Sequence, residues 1–294
     1  MVVAAADMPL AISGSTRLYG ILGYPITHSL SPLMQTFAFQ QHGLDCLYVP
    51  FPVPPERLPQ AIAGAVALGI CGLNVTIPHK EAIVDLLDDV SAEARFVGAV
   101  NTVVISDGRT VGHNTDGIGF LQPLCDVEAV LTSTSVCLLG AGGAARAITM
   151  ALLRAGCPLL TLVNRTYERG ERLAAALQER FPAAVVQCRA WDQAAHVARD
   201  SSLVVNATAV GLHDDGTTLL PETCFRPEHL VYDIVYRPLY TPLLQAAQRR
   251  GARIIPGIEM LIGQGAAAFR LWTGLTFPTA AVRRLVQPSL LATS

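Results

Sequence analysis

Short apolar runs alternate with helix-like segments along almost the whole chain, and this alternation restricts the fold more than any other feature. Helical stretches such as Ala144–Ala155 and Glu168–Glu179 separate the runs. The predicted strands are Leu18–Leu22, Leu47–Phe51, Gly72–Ile77, Thr102–Ile105, Val136–Leu139, Leu160–Val163, Leu203–Val205, Val231–Ile234 and Arg253–Ile255. Strands that alternate with helices favour an α/β fold with a mostly parallel sheet.

Length and charge narrow the class of protein. The chain has 294 residues, of which 51% are hydrophobic and 15% charged, so it can build one large domain or two ordinary ones. A formal net charge of -2, from 21 basic and 23 acidic residues, gives no basic surface for a nucleic acid. The best boundary lies near Asp116–Gly119, where a new βαβ unit begins, and the helix-rich segment from about Gly257 is expected to pack back on the first domain.

Cysteine usage and the uncharged segments predict a cytoplasmic protein. The seven cysteines are an odd number without a CxxC pair, which argues against a disulfide framework and a zinc site. The first basic residue is Arg17, so the chain lacks the charged start of a signal peptide. In the uncharged stretch Leu58–His79, the apolar part, Ala61–Leu73, is too short to span a bilayer and predicts a buried helix.

A strand, a glycine turn and a helix over residues 135–155 predict a dinucleotide site. The spacing fits G-x-G-x-x-A, in which Gly140 allows the tight turn and Gly142 lets the backbone approach a pyrophosphate. Ala145 is small enough for close packing of the helix on the strand, and the helix N-terminus offers N–H groups to phosphate. The predicted cofactor contacts of this turn are Gly140, Ala141, Gly142, Gly143, Ala144 and Ala145. The alternative is a strand–turn–helix whose glycines serve geometry alone.

The end of the next strand indicates NADP rather than NAD. NAD sites usually place Asp or Glu here for the ribose hydroxyls, whereas this chain has Arg165 and Arg169, which suit a 2′-phosphate. Thr166 can also cap the helix that follows. The alternative is an exposed helix start with two unremarkable arginines, and Glu168 is an acidic neighbour of the proposed phosphate site.

Polar residues also follow the predicted strands of the first half. In His28-Ser29-Leu30-Ser31-Pro32, two hydroxyls lie one residue apart, and Ser31 is expected to cap a helix with Pro32 at its first position. Asn74-Val75-Thr76-Ile77-Pro78-His79-Lys80 places polar groups at the carboxyl end of a strand, where open α/β sheets bind ligands. Taken alone, Lys80 is equally well explained as an exposed lysine at a helix start, and His28 and His79 are expected to be structural or rim residues.

These motifs, in this order, resemble the shikimate dehydrogenase family over nearly the whole chain, from Tyr19 to Trp272. The resemblance is carried by the segments His28–Pro32 and Asn74–Lys80 and by seven further motifs. These are Gly98-Ala99-Val100-Asn101-Thr102, Asn114-Thr115-Asp116-Gly117, the Gly140 turn, Asn164-Arg165-Thr166, Asn206-Ala207-Thr208, Tyr236 before Thr241-Pro242, and Met260 with Gln264. The resemblance implies NADPH-dependent reduction of 3-dehydroshikimate to shikimate in aromatic amino acid biosynthesis. It also implies two domains, a substrate domain of residues 1–116 plus 254–294 and a Rossmann-type NADP domain of residues 117–253.

The resemblance also implies roles for individual residues. Lys80 and Asp116 resemble the catalytic pair. Residues that resemble the substrate contacts are Ser29 and Ser31, with Tyr236, at the carboxylate, and Thr76, Asn101 and Gln264 at the ring hydroxyls. Residues that resemble the cofactor contacts are Asn164, Arg165, Thr166 and Arg169 at the 2′-phosphate, and Asn206, Ala207, Gly257 and Met260 around the nicotinamide. No metal is implied, and the expected assembly is a monomer or a homodimer.

Two alternatives stay open at this point. Gln35 stands where many members carry His, and Gln also occurs in relatives that accept quinate, so a quinate/shikimate dehydrogenase using NAD or both cofactors is the nearer one. The other is a non-catalytic NADPH-binding regulator on the same fold. Such a regulator would not need Lys80 and Asp116 together, because a hydride transfer to a ketone requires a proton donor and a regulator does not.

Overall fold

The chain forms two compact α/β units, each with its own six-stranded sheet. The structure is a computed structural model that describes residues 12–212 and 217–291. The first unit takes the chain up to Thr115 together with Gly265–Gln287, and the second takes Asp116–Gln264 together with the chain from Pro288. The expectation about the N-terminus concerns residues 1–17, of which residues 1–11 lie outside the described residues. The domain boundaries 1–116 plus 254–294 and 117–253 stay a prediction.

The first unit holds a mixed sheet in the order β2-β1-β3-β5-β6-β4. Its elements are β1 (Arg17–Gly23), α1 (Ser31–Gln41), β2 (Cys46–Pro52), α2 (Leu58–Ala67), β3 (Gly72–Val75), β4 (Asp89–Val90), α3 (Ala92–Val97), β5 (Thr102–Ser106) and β6 (Arg109–His113). β1 pairs in parallel with β2 and β3, whereas β5 runs antiparallel to β3 and β6. β4 pairs in parallel with β6, so five of the six strands of this sheet run in the same direction. The prediction of a mostly parallel sheet is therefore confirmed for this unit, with β5 as the antiparallel strand.

The second unit holds a fully parallel sheet in the order β12-β11-β10-β7-β8-β9. Its elements are α4 (Asp116–Asp126), β7 (Ser135–Leu139), α5 (Gly143–Arg154), β8 (Leu159–Val163), α6 (Tyr167–Arg180), β9 (Val185–Arg189), α7 (Ala194–Arg199), β10 (Leu203–Asn206), β11 (Leu230–Asp233), α8 (Pro242–Arg249) and β12 (Arg253–Ile255). Numbered from β7 as the first strand, this is the order 3-2-1-4-5-6 of a Rossmann fold read from its other edge. The predicted fold class, two α/β domains with one of Rossmann type, is confirmed.

Two further helices, α9 (Ile258–Thr273) and α10 (Thr279–Leu291), complete the chain. Gly265–Gln287 packs with the first unit, whereas residues 257–264 belong to the second. The expected return of the whole segment from about Gly257 to the first domain therefore stays a prediction. Trp272 of α9 shows the packing of Gly265–Gln287 on the first unit, since its Nε1 donates to the Val103 carbonyl at 3.0 Å.

Local differences from the sequence-based elements have simple causes. The predicted helix over Ala61–Leu73 ends at Ala67, because Gly69 takes a φ of 68° and the residues from Gly72 join β3. The strands β4, β6 and β9 were not predicted. β6 follows β5 through a two-residue turn, Asp107 and Gly108, both with positive φ, which is a common hairpin connection.

The start of α1 also differs from the prediction. Ser31 is the first helical residue rather than the cap, Leu30 occupies the cap position, and no side chain there makes a capping hydrogen bond. The Ser31 amide instead donates to Ser29 Oγ at 3.3 Å. Pro32 in the first turn fits the helix start, because the missing N–H would have no partner within the helix.

Candidate active site

The glycine turn between β7 and α5 has the shape that the sequence predicts. Gly140 has a φ of 117°, and a Cβ there would lie 2.9 Å from the Ala207 carbonyl oxygen, so only glycine fits. Gly142 caps α5, and a Cβ at this position would meet no atom within 4 Å. Ala145 is completely buried against the sheet. The backbone at the N-terminus of α5 is therefore open to a phosphate group.

The residues after β8 connect to this turn. Arg169 Nε donates to the Ala141 carbonyl at 3.0 Å, which ties the first turn of α6 to the glycine turn. Asn164 Nδ2 donates to the Thr166 carbonyl at 2.7 Å and fixes the loop between them. Thr166 occupies the cap position of α6, but its side chain makes no capping hydrogen bond. Arg165 is exposed beside this loop, so the side of the turn that the sequence assigns to a 2′-phosphate is basic.

The residues expected around the nicotinamide lie at the end of β10 and after β12. Asn206 and Asp233 are register partners at the ends of β10 and β11, and Asn206 Nδ2 donates to Asp233 Oδ1 at 2.8 Å. A Cβ at Gly257 would lie 2.4 Å from the Ile234 carbonyl oxygen, so glycine is required where the chain passes these strands. Ala207 is buried, and so is Met260, which lies one turn after Gly257 in α9.

In the first unit, backbone hydrogen bonds gather the polar segment around Lys80 at the carboxyl ends of β1 and β3. The Thr76 amide donates to the Leu22 carbonyl at 2.9 Å, and the Val100 amide donates to the Lys80 carbonyl at 2.8 Å. Gly23 has no room for a side chain, because a Cβ would lie 2.5 Å from Thr76 Cγ2. Lys80 is half-buried. Part of the Lys80 residue is therefore accessible at this sheet edge.

A buried polar network lies beneath this edge. Tyr48 Oη donates to Asn74 Oδ1 at 2.6 Å, and Asn74 Nδ2 donates to the Asn101 carbonyl at 3.1 Å. Asn101 Nδ2 donates to Thr115 Oγ1 at 3.0 Å, and Asn101 Oδ1 accepts from the Thr115 amide at 2.8 Å. We call these four residues, Tyr48, Asn74, Asn101 and Thr115, the buried network.

Ser31 borders the buried network. Burial raises the pKa of the Tyr48 phenol well above its usual value, and hydrogen bonding with the Ser31 side chain opposes part of that rise. Ser31 is almost fully buried, whereas Ser29 is half-buried. The two predicted carboxylate-binding hydroxyls therefore differ in surroundings, with only Ser31 backed by an ordered side-chain network.

His79 is structural, as expected, since it is buried and its Nε2 lies 2.7 Å from the Val53 carbonyl oxygen, while His28 is exposed.

The second unit holds three of the residues expected at the substrate. Asp116 begins α4 and is buried. Gln264 lies where α9 crosses α4, because a Cβ at Gly119 would be 2.4 Å from the Gln264 amide nitrogen, and its Nε2 donates to the Leu261 carbonyl at 2.9 Å. Tyr236 is half-buried, and burial raises the pKa of its phenol while the neighbouring Arg237 lowers it.

Sequence reasoning missed two buried residues next to the predicted site. Tyr48 lies in β2 and Asp233 ends β11, and neither follows a motif that marks chemistry. A polar residue inside an apolar strand was the available signal, since a buried carboxylate or phenol needs hydrogen-bonding partners.

Among the described residues, no group of three His, Cys, Asp or Glu side chains could hold a metal ion. Within the same residues, every helix is too short or too polar to cross a lipid bilayer.

Three family models match successive parts of the chain. Residues 21–103 match "Shikimate dehydrogenase substrate binding domain", residues 126–212 match "Shikimate / quinate 5-dehydrogenase", and residues 257–287 match "Shikimate 5'-dehydrogenase C-terminal domain". The chain is 45% identical over 287 residues to the shikimate dehydrogenase (NADP(+)) of Moorella thermoacetica, with 97% of each chain covered.

Solved structures agree with these matches. A shikimate dehydrogenase in complex with NADP+ is similar with a TM-score of 0.89 at 37% identity, covering 95% of this chain and 98% of that one. The shikimate 5-dehydrogenase of Thermus thermophilus, solved with NADP(H) and shikimate, is similar with a TM-score of 0.83 at 39% identity. The alignment covers 93% of this chain and 100% of the Thermus chain.

Proposed function

Because the chain belongs to the shikimate dehydrogenase family, we propose that it catalyses the reversible NADPH-dependent reduction of 3-dehydroshikimate to shikimate. The observation that carries the proposal is the set of polar side chains at the edge of the first sheet. Ser31, Lys80 and Asn101 lie at or beside the ends of its strands and are held by ordered hydrogen bonds. Hydroxyl, ammonium and amide groups are the donors that a hydroxylated carboxylic acid needs.

The second unit fits NADP. The left-handed turn at Gly140 and the open space beside Gly142 suit a pyrophosphate, and Arg165 with Arg169 suits a 2′-phosphate. Bound NADPH supplies the hydride. Asn206, Ala207, Gly257 and Met260 are the residues that would hold its nicotinamide end.

Lys80 and Asp116 carry the proton transfer. When the substrate ketone is reduced, its oxygen gains charge, and the Lys80 ammonium donates the proton that neutralises it. In the oxidation direction the Lys80 amine accepts that proton. Asp116 is the carboxylate partner in this step and shares a substrate hydroxyl.

Binding and orientation of the substrate fall to the other assigned residues. The Ser29 and Ser31 hydroxyls, with Tyr236, donate hydrogen bonds to the substrate carboxylate. Thr76, Asn101 and Gln264 bind the ring hydroxyls.

We place the reaction in the cytoplasm, which the seven free cysteines support, since reduced thiols are usual there. The assembly, a monomer or a homodimer, stays a prediction. The substrate is a small molecule, and no nucleic acid or membrane partner is proposed.

A side-by-side rate assay tests the activity. Shikimate and quinate are each oxidised with NADP+ and with NAD+, and the reduced cofactor is followed by absorbance. Shikimate with NADP+ should give the highest kcat/KM. A chain that binds NADPH but turns over neither acid with either cofactor would instead be the non-catalytic regulator.

The carboxylate assignment has its own test. Ser29→Ala and Ser31→Ala each remove a donor to a charged group, which weakens transition-state binding of shikimate by about 1.5–3 kcal/mol. Shikimate methyl ester should be a poor substrate of the parent enzyme and should lose less on either substitution. Equal losses for acid and ester would contradict the assignment.

A further inference from the structure

Asp233 is a buried carboxylate that the proposed reaction does not use. It ends β11 with 1% of its surface exposed. Its hydrogen bonds come from neutral donors: Asn206 Nδ2 at 2.8 Å and the Val235 amide at 2.9 Å reach Oδ1, and Thr241 Oγ1 at 2.7 Å reaches Oδ2. A buried carboxylate is costly, so its presence at a strand end requires a reason beyond packing.

The bond to Asn206 fixes the orientation of that amide. Asn206 Nδ2 donates to both Asp233 and the Val210 carbonyl, while its Oδ1 accepts from the Thr208 amide at 2.9 Å and from Thr208 Oγ1 at 2.7 Å. A flipped amide would set its NH2 group against the Thr208 N–H and its oxygen against the Asp233 carboxylate. The carboxylate therefore selects one of the two amide orientations, and with it the path of the chain through Ala207.

The other two bonds fix the chain on the far side of β11. The Val235 amide is held immediately before Tyr236, and the Thr241 hydroxyl also accepts from the Leu244 amide as the cap of α8. The same turn leaves no room at Gly257, whose Cβ position lies 2.4 Å from the Ile234 carbonyl oxygen. Two chain segments that carry proposed site residues, the one with Asn206 and Ala207 and the one that leads to Tyr236, thus meet at one carboxylate.

We propose that Asp233 is a positioning residue for the nicotinamide side of the cofactor site, acting through Asn206 and through the turn that precedes Tyr236. The inference rests on the proposed function, because that function places the nicotinamide at Asn206 and Ala207. The phosphate side of the site, at Arg165 and Arg169, is held by separate contacts. Loss of Asp233 should therefore weaken binding of the nicotinamide end of the cofactor more than binding of the 2′-phosphate end.

The test compares NADP+ with adenosine 2′,5′-bisphosphate, which carries the adenosine and the 2′-phosphate but no nicotinamide. Asp233→Ala should raise the Kd of NADP+ and lower kcat, each by about tenfold to a hundredfold, because small displacements at a reacting centre are costly. The Kd of the bisphosphate should change by less than about twofold, since its contacts are separate. Asp233→Asn keeps an oxygen that accepts from Asn206 and Val235, so it should recover most of the NADP+ affinity.

Val231→Ala is the matched control, because Val231 is fully buried two residues earlier on the same face of β11. This substitution should lower Tm without changing the Kd of NADP+ more than the Kd of the bisphosphate. Should Asp233→Ala fail to fold, Asp233→Glu keeps the charge but displaces the carboxylate, and the same separation is expected. Equal weakening of both ligands, or no weakening, would overturn the inference. A parent enzyme that binds NADP+ but does not oxidise shikimate would instead refute the proposed function while leaving this comparison measurable.

Discussion

The two units build their ligand-binding edges in different ways. In the first unit, side chains bond to side chains beneath the edge, as in the chain from Tyr48 through Asn74 to Asn101. In the second unit, the glycine turn leaves the backbone open at Gly142, where a Cβ would meet no atom within 4 Å. The difference follows from the ligands, because a hydroxylated ring must be recognised group by group, whereas a pyrophosphate is met by N–H groups that any sequence carries.

Replacing Lys80, the proposed proton donor, should give the largest difference between the two edges, because it should stop the chemistry while leaving the cofactor edge intact. Lys80→Ala should lower kcat about 10²–10⁴-fold, the usual contribution of a positioned general acid. NADP+ binding should stay near the parental value, because the glycine turn and its arginines belong to the other unit. Lys80→Arg should not rescue, since a guanidinium does not release its proton at working pH.

Single-turnover hydride transfer in Lys80→Ala, Asp116→Asn and the double variant completes this test. When two residues act in the same step, the double variant loses less transition-state stabilisation than the two single variants lose in sum. Near-parental transfer in Lys80→Ala would make Lys80 a binding residue only, and additive losses would separate the roles of Lys80 and Asp116.

The two edges also differ in charge below the surface, which predicts different responses to pH. The buried network of the first unit is made of neutral side chains, whereas in the second unit burial raises the pKa of Asp233 to about 6, outweighing its three donors. The folded pKa lies above the unfolded value of about 3.9, so the folded state binds more protons between these values and loses stability as the pH rises.

Relative to Asp233→Asn, the parent should therefore lose about 2–3 kcal/mol of unfolding free energy between roughly pH 4 and pH 7. Urea unfolding of both proteins at several pH values measures the difference. A difference that is flat with pH would mean that the three donors hold the carboxylate ionised throughout.

Sequence alone predicted features that depend on neighbours along the chain. The glycine turn and the NADP-type loop at Arg165 follow from spacing within about 30 residues of chain, a local pattern with a known geometric reason. The Tyr48–Asn74 bond joins strands on opposite sides of β1, so it requires the strand order as well as the strands. The Asp233–Asn206 bond requires the register of β10 against β11.

Short local patterns also explain why β4 and β9 are not predicted and why Ser31 is wrongly predicted to cap α1. β9 is an edge strand with only Val186 and Cys188 buried, and β4 has two residues, so their apolar patterns are too short to detect. Ser31 fits the cap pattern, but the helix begins one residue earlier than a Ser31 cap allows, and the serine faces the buried network instead.

Charge reversal at the exposed cofactor edge should separate the two cofactors. Arg165→Glu should weaken NADP+ by about 1.5–3 kcal/mol, the value of a hydrogen bond to a charged group, and should affect NAD+ far less. Arg172→Glu is the control, because Arg172 is exposed on the adjoining helix and its Nε bonds within that helix, to the Glu168 carbonyl. The ratio of kcat/KM values for the two cofactors is the measurement, and equal weakening of both would place Arg165 away from the 2′-phosphate.

Tyr48→Phe has the smallest expected effect, and it tests whether the ligand-binding edge of the first unit depends on the side chains below it. Tyr48→Phe removes the donor to Asn74 Oδ1 and leaves that buried oxygen without its 2.6 Å partner, at a cost of about 1–3 kcal/mol in stability. It also removes the hydroxyl next to Ser31, so the KM for shikimate should rise while the KM for NADP+ stays unchanged.

Tyr19→Phe supplies the control for this substitution. Tyr19 is paired with Tyr48 in the β1–β2 register, is buried, and contacts the same Trp272 ring, with centroids 5.3 Å apart against 6.1 Å for Tyr48. Its hydroxyl is directed to Cys71 rather than to the buried network. Steady-state kinetics and thermal unfolding of both variants give the comparison. If the two variants raise the KM for shikimate equally, the effect comes from the aromatic packing on Trp272, and the phenol of Tyr48 has no separate part in holding Ser31.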